Sequence, residues 1–151
     1  MKASELMTRD PRTCEPGHDL SCAIRIMKDE DTGIVPVTEG NGEARVAGVV
    51  TDRDIALGLG ERDARPSEVK VGDLMSHDVV SVAPDADVHE VSGRMQQSQV
   101  RRVLVVEDGR LVGIISTADL ARASARKEGR LGEEVESVME KVSEDTGSAR
   151  A

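Results

Sequence analysis

The chain is written twice. Set one above the other, ELMTRDPRTCEPGHDL and DLMSHDVVSVAPDADV share a Leu-Met pair, an aspartate, a proline and a closing acidic-apolar pair. Met7 and Met75, Pro16 and Pro84, and Met27 and Met95 are each 68 residues apart. GVVTDRDIA from Gly48 then matches GIISTADLA from Gly113 at an offset of 65, so the intervening loop is three residues shorter in the second copy. The repeat runs to about Ser124. A copy of about 55 to 60 residues is at the size where one hydrophobic core is marginal, so the two copies are expected to pack together.

Each copy reads as β-α-β-β-α. In the first, Ala23, Ile24, Ile26 and Met27 form an apolar stripe at helical spacing over about Asp19 to Asp29. Strands follow at about Ile34 to Thr38 and Arg45 to Thr51, joined across the turn-forming Glu39-Gly40-Asn41-Gly42. The second copy repeats this with Val88, Val91 and Met95 on its helix, then strands over Arg102 to Glu107 and Leu111 to Ser116 around Asp108-Gly109. The polar stretch Gly60 to Val69 reads as the connection. The expected division is therefore a first unit over 1–62, a linker over 63–70, a second unit over 71–126, and a C-terminal helix and flexible tail over 127–151. In that last segment Leu131, Val135, Val138 and Val142 have helical spacing, with Glu144 to Ser148 as loose tail.

Composition narrows the partners. There is no Phe, Tyr or Trp, so the core must be aliphatic. A net charge of -9 and the absence of any Lys/Arg run argue against nucleic acid, and no Phe, Tyr or Trp ring is present for bases to stack on. No apolar run approaches the roughly 20 residues that cross a bilayer, and the charged start lacks a signal core, so no membrane partner is expected and a cytoplasmic location is. Cys14 and Cys22 fit no metal-ligand spacing and read as reduced core thiols. His18, His77 and His89 are scattered, without a Cys or carboxylate set beside them, and read as surface or capping residues; no metal site is expected. No cluster of Ser, Cys and His suggests a catalytic set, so the chain reads as no enzyme, with no catalytic residues and no required cofactor.

The most informative local feature is Thr51-Asp52-Arg53-Asp54 and its echo Ser116-Thr117-Ala118-Asp119, both at a strand-to-helix junction. A hydroxyl followed three residues on by an acid is a helix-start signature, the hydroxyl capping free N–H groups. The same groups can serve a ligand: a carboxylate can take both hydroxyls of a ribose diol, and helix-end N–H groups favour phosphate. Both readings stand at this stage.

These stretches, with GIVPVTE and RRVLVVEDGRLVGIIS in the strands, resemble tandem cystathionine-beta-synthase (CBS) domains, a Bateman module, over about residues 2 to 125. The resemblance implies two α/β units related by a pseudo-two-fold axis, with clefts that in relatives take AMP, ADP, ATP or S-adenosylmethionine. It assigns ribose to Asp54 and Asp119, and phosphate to Thr51 and Ser116 with Arg53, Arg101 and Arg102. Around adenine it places Glu15, Leu20, Gly33 and Ile34 on one side and Ala83, Val88 and Val100 on the other. Ala118 stands where the first copy has Arg53, so the two sites are expected to differ. The implied role is a regulatory nucleotide-sensing module, a homodimer acting on a partner protein; a ligand-free dimerisation or interaction module is the alternative.

Overall fold

The computed structural model describes residues 1–126 and 136–142. The expected helical positions Leu131 and Val135 and the tail at 144–148 lie outside the described residues. The chain is mixed α/β, and each copy shows the expected order of elements. It divides into two compact units whose borders do not follow the repeat. Among the described residues, one holds Arg12–Val79 with Gly109–Leu111; the other holds Met1–Pro11, Val80–Asp108, 112–126 and 136–142. Each copy's first residues thus belong to the body built by the other copy.

The unit around Arg12–Val79 is a hairpin with two helices. Helix α2 (Leu20–Glu30) begins where the Asp19 side chain accepts the Ser21 N–H, and ends at Asp31 in the left-handed region at φ 49°. Its buried residues Leu20, Ala23 and Ile26 recur every three residues and face strand β2 (Ile34–Glu39). β2 pairs antiparallel with β3 (Arg45–Thr51) in one register from Ile34↔Thr51 to Val37↔Gly48, then shifts by one residue at a bulge between Val37 and Thr38. β2 is buried along Val35 to Thr38, and its outer edge is covered by the extended Cys14, which lies parallel to it: Cys14 N–H donates to Pro36 O at 3.1 Å and Thr38 N–H to Cys14 O at 2.9 Å. Helix α3 (Asp52–Arg62) follows β3 directly. It carries through Gly58-Leu59-Gly60, so the stretch expected as linker from Gly60 is helical up to Arg62. Pro66–Glu68 then makes one 3₁₀ turn, and Val69 is buried in the core. The short helix α4 (Val71–Leu74) completes this unit.

The second body repeats the plan. Helix α1 (Ala3–Leu6) buries Ala3 and Leu6, and strand β1 (Thr8–Arg9) is the edge partner of β6 (Arg110–Ser116) through Thr8↔Ile114. Strand β4 (Ser81–Val82) runs parallel to β5 (Arg102–Glu107), with Val82 opposite Val105 as Cys14 stands opposite Val37. Between them comes helix α5 (Val88–Ser98), capped by Asp87 and buried along Val88, Val91, Ser92 and Met95. Helix α6 (Thr117–Arg126) buries Leu120 and Ala123. A last helical turn pair, α7 over 136–142, adds Val138 and Val142 to the same core, as the spacing predicted for those two positions.

Two glycines decide how closely the leading segments approach. A Cβ on Gly48 would stand 2.3 Å from the Ser76 carbonyl oxygen, inside the pair of bonds Val49 N–H to Ser76 O (2.9 Å) and Ser76 N–H to Val49 O (2.7 Å). On Gly113 it would meet the Met7 side chain, Sδ at 2.4 Å. The first obstacle is backbone and the second a flexible thioether, so Gly48→Ala is expected to cost about 1–3 kcal/mol and Gly113→Ala less. Gly60→Ala meets nothing within 4 Å in a helix and is expected to stabilise by about 0.5–1 kcal/mol. Urea unfolding followed by circular dichroism ranks the three; a Gly48→Ala midpoint at or above that of Gly113→Ala would contradict the backbone contact.

Candidate functional site

Both strand-to-helix junctions close as reciprocal caps. Thr51, in extended backbone at the end of β3, accepts the Asp54 N–H on its hydroxyl at 3.1 Å, and Asp54 Oδ2 accepts the Thr51 N–H at 3.0 Å. The chain folds this way locally because three-residue spacing returns the first-turn acid to the residue before the helix. In the second copy Ser116 Oγ accepts the Asp119 N–H at 3.1 Å, and Asp119 Oδ2 receives both the Ser116 N–H at 2.8 Å and the Ser116 hydroxyl at 3.0 Å. The neighbouring strand is fixed to each junction by one further bond: Asp52 N–H to Gly33 O at 2.9 Å, and Thr117 N–H to Arg101 O at 3.0 Å. Gly33 and Ile34 therefore lie beside Thr51, and Arg101 lies beside the Ser116 junction.

The two carboxylates then part company. Asp54 is half-buried, and among the described residues only the Thr51 N–H is seen to reach it, through Oδ2. Asp119 is more enclosed, its side chain 9% exposed, and its Oδ1 is held by Arg122 Nη2 one turn along α6. The matching position in the first copy is Leu57, exposed to solvent. Asp119 and Arg122 line a cavity of about 260 Å³ within their own unit, together with Glu5, Thr8, Ala123 and Arg126. Arg122 and Arg126 were not among the phosphate ligands the sequence suggested; their signal is the i+3 and i+7 spacing from Asp119, which puts all three on one helix face.

The remaining expected site residues are spread more widely. Arg53 and Ala83 are exposed, Arg101 is exposed, and Arg102 is half-buried at the start of β5. Val100 is half-buried, packed on the core of its unit. Leu20 is fully buried and Val88 nearly so, so both side chains serve packing in this structure. Glu15 is exposed and sits in the turn before α2, where its N–H donates to His18 Nδ1 at 3.0 Å and its carboxylate lies 3.7 Å from His18 Nε2.

That turn corrects one expectation. Cys and His were read as unclustered, yet the ligand atoms of Cys14, His18 and Cys22 all lie within 4.8 Å of one another. Cys14 Sγ is 2.8 Å from Cys22 Sγ, and Cys22 Sγ is 3.7 Å from His18 Nδ1. The four-residue step from His18 to Cys22 brings them to one side, and the turn returns the chain so that extended Cys14 meets α2. Only the second of those facts needed the structure. Cys14 is fully buried, and burial together with the Cys22 contact raises its thiol pKa well above the ordinary range. His77 Nδ1 is hydrogen-bonded to Ala47 O at 3.1 Å. Among the described residues, no helix is long and apolar enough to cross a membrane.

Comparison with known proteins agrees with the repeat. The family model described as "CBS domain" matches residues 3–61 and again 71–126. The Bacillus subtilis protein YlbB is 35% identical over 146 residues, 97% of each chain. The crystal structure of Hypoxic Response Protein I with two coordinated zinc ions, a protein of Mycobacterium tuberculosis, superposes with a TM-score of 0.72 at 30% identity, covering 81% of this chain and 98% of that one. CBSX2 in complex with AMP shares the fold at a TM-score of 0.69 and 22% identity, covering 83% of this chain and 96% of that one. With both copies matched by one family pattern, and a relative this similar along its whole length, the chain belongs to the CBS domain family as a tandem pair.

Proposed function

We propose that this CBS pair is a regulatory module that binds an adenosyl ligand (AMP, ADP, ATP or S-adenosylmethionine) at its strand-to-helix junctions and, as a homodimer, modulates a partner protein. The observation that carries the reading is Asp54: its carboxylate is fixed through Oδ2 by the Thr51 N–H at the mouth of a helix, half-exposed, with acceptor capacity left for a ribose diol. The N-terminus of α3 beside it favours phosphate, and Arg53 stands exposed on the same turn. The AMP bound to a protein of the same fold supports adenosyl ligands as the class to test. Gly33, Ile34 and Glu15 are the further groups that the unit of Asp54 offers to base and phosphate, and Ala83, Val100, Arg101 and Arg102 are those of the unit that carries Asp119.

The second junction is proposed to bind differently. Asp119 is already satisfied by Ser116 and Arg122, so a ribose entering the cavity must first displace Arg122, which can then turn to a phosphate. Regulation requires the ligand to bind two conformations of the module unequally, and the exchange of Arg122 from carboxylate to phosphate is one such difference. A ligand-free interaction module is the second reading, favoured at this junction by the complete engagement of Asp119. No catalytic step is assigned.

With no Tyr or Trp, the purified protein is nearly transparent where adenine absorbs weakly, so a co-purified nucleotide stands out in the near-ultraviolet spectrum. Calorimetry against AMP, ATP and S-adenosylmethionine is expected to show binding that Asp54→Ala weakens about 10- to 100-fold, the loss of charged hydrogen bonds. Unchanged affinity in Asp54→Ala, Asp119→Ala and the double variant would remove the ribose assignment, and no binding by the unaltered chain would select the interaction module. Light scattering checks the dimer.

A separate prediction follows from Arg122. In the Asp54→Ala background, Arg122→Leu gives the second copy the side chain found at position 57 of the first and frees Asp119. Adenosine affinity is expected to rise while the advantage of AMP over adenosine narrows. Adenosine binding that does not change on this substitution would show that the Arg122–Asp119 pair does not gate the junction.

A further inference from the structure

We propose that Cys14, His18 and Cys22 form a mononuclear site for a thiophilic divalent cation of the zinc class, on ligands that the adenosyl reading does not use. Two thiolates and one imidazole are a donor set that tetrahedral zinc accepts, with the fourth position left for water or an exogenous ligand. Zinc–sulfur and zinc–nitrogen bonds of ordinary length set neighbouring donors about 3.5 to 3.8 Å apart. Cys22 Sγ and His18 Nδ1 already stand at 3.7 Å. The two sulfurs, at 2.8 Å, need to open by about 1 Å, which rotation of the half-exposed Cys22 about its first side-chain bond can supply.

The backbone is held for this purpose at three places. Cys14 is tied to β2 on both sides by its bonds with Pro36 and Thr38. His18 closes a turn through its N–H to Glu15 O at 3.1 Å, and Cys22 is fixed in the first turn of α2 by its N–H to Asp19 O at 3.2 Å. The donors thus come from an extended segment, a turn and a helix of one unit, with an ordered frame behind each. Cys14 closes the site from the core, and the exposed His18 leaves its outer side open to an arriving ion. One rearrangement is required besides the rotation of Cys22. His18 Nδ1 gives up the Glu15 N–H, which lies at an exposed turn where water replaces it. The Glu15 carboxylate, 3.7 Å from Nε2, is placed to orient the ring from behind, as outer-shell carboxylates do. On binding, the dication displaces two thiol protons to solvent, and the pair of thiolates brings the local charge to zero, which suits a half-buried site.

The internal repeat supplies a control that few proteins carry. At the 68-residue offset, Cys14, His18 and Cys22 correspond to Val82, Ala86 and Glu90. The backbone there is equivalent, since Val82 pairs with Val105 as Cys14 pairs with Val37, and Asp87 caps α5 as Asp19 caps α2. Val82 and Ala86 are both buried. The fold is therefore satisfied at these positions by two small apolar side chains, and packing does not call for sulfur and imidazole.

The full chain, stripped by chelator and kept reduced with a phosphine, is titrated with cobalt(II). One equivalent is expected to give a thiolate-to-cobalt charge-transfer band, clean in a protein without aromatic residues, and the visible bands of tetrahedral cobalt; zinc should then bleach both. Cys22→Ser, which leaves at most one thiolate, should lower the charge-transfer band to half or less. His18→Ala, at an exposed position, should weaken cobalt by at least the roughly 10- to 100-fold that loss of an outer-shell partner costs, while far-ultraviolet circular dichroism shows the fold kept. A reduced, folded chain that gives no charge-transfer band overturns the proposal, as does a band of undiminished intensity in Cys22→Ser or a cobalt affinity that His18→Ala leaves unchanged. No nucleotide enters the assay, so its failure leaves the adenosyl reading untouched, and the converse.

Discussion

The close approach of Ser76 to Gly48 is the contact from which the rest of the architecture follows. A carbonyl oxygen that would stand 2.3 Å from a side-chain carbon can pair with Val49 only because position 48 has none. Through it the first residues of the second copy become a fringe of the first copy's hairpin. Gly113 and Met7 make the corresponding approach in the other body, with a thioether in place of a carbonyl. Each body therefore lacks a piece that the other copy provides. A chain cut between the repeats would leave Ala3 and Leu6 in one fragment and the core that buries them in the other. That loss matters at this size, because burying an aliphatic side chain contributes about 1.5–3 kcal/mol and a small domain has few to spare.

The same exchange marks what the sequence could and could not reveal. The repeat gives equivalence, so strands at Arg45–Thr51 and Arg102–Glu107 lie where alternation and turns put them. Equivalence does not say with which body a segment packs. ELMT and DLMS look alike whether each folds on its own copy or on the other, and only the packing of Met7 at Gly113 and Met75 near Gly48 decides it. Helix α3 shows a related effect: Gly58 and Gly60 are poor helix formers, yet the helix runs on to Arg62, held by Ile55 in the core and by Leu74 packed against Gly58. Tertiary contact overrode propensity. At the site, the hydroxyl-to-acid spacing was legible because a cap is local, whereas Cys14 meeting Cys22 depends on a turn whose direction no spacing records.

The reciprocal caps bear on function through what they leave over. A carboxylate that has accepted one backbone N–H through one oxygen is rigid and still an acceptor, a good ribose partner. One whose second oxygen also holds a guanidinium is rigid and closed. Asp54 and Asp119 are these two cases, on the same backbone, and the difference comes from a single side chain three residues further on: Leu57 or Arg122. Under the proposal the asymmetry is functional: one junction takes ligand as it stands, and the other must exchange an internal ion pair for an external one. The energy at stake is modest, since Arg122 is largely exposed and solvent screens such pairs. A weak latch is what a sensor of a fluctuating metabolite needs, because a strong one would stay shut at any attainable concentration.

Duplication also separates what the fold needs from what a site adds. Where both copies carry the same residue type, as at Met27 and Met95 or at the capping Asp19 and Asp87, the shared structure accounts for it. Where they differ on equivalent backbone, the structure alone cannot be the reason. Three such differences fall together in the turn before α2, at Cys14, His18 and Cys22, and their donor atoms converge. A buried thiol can be explained as a small apolar side chain. A second thiol and an imidazole brought to the same point, facing outward from a frame that works without them, are better explained by something held between them.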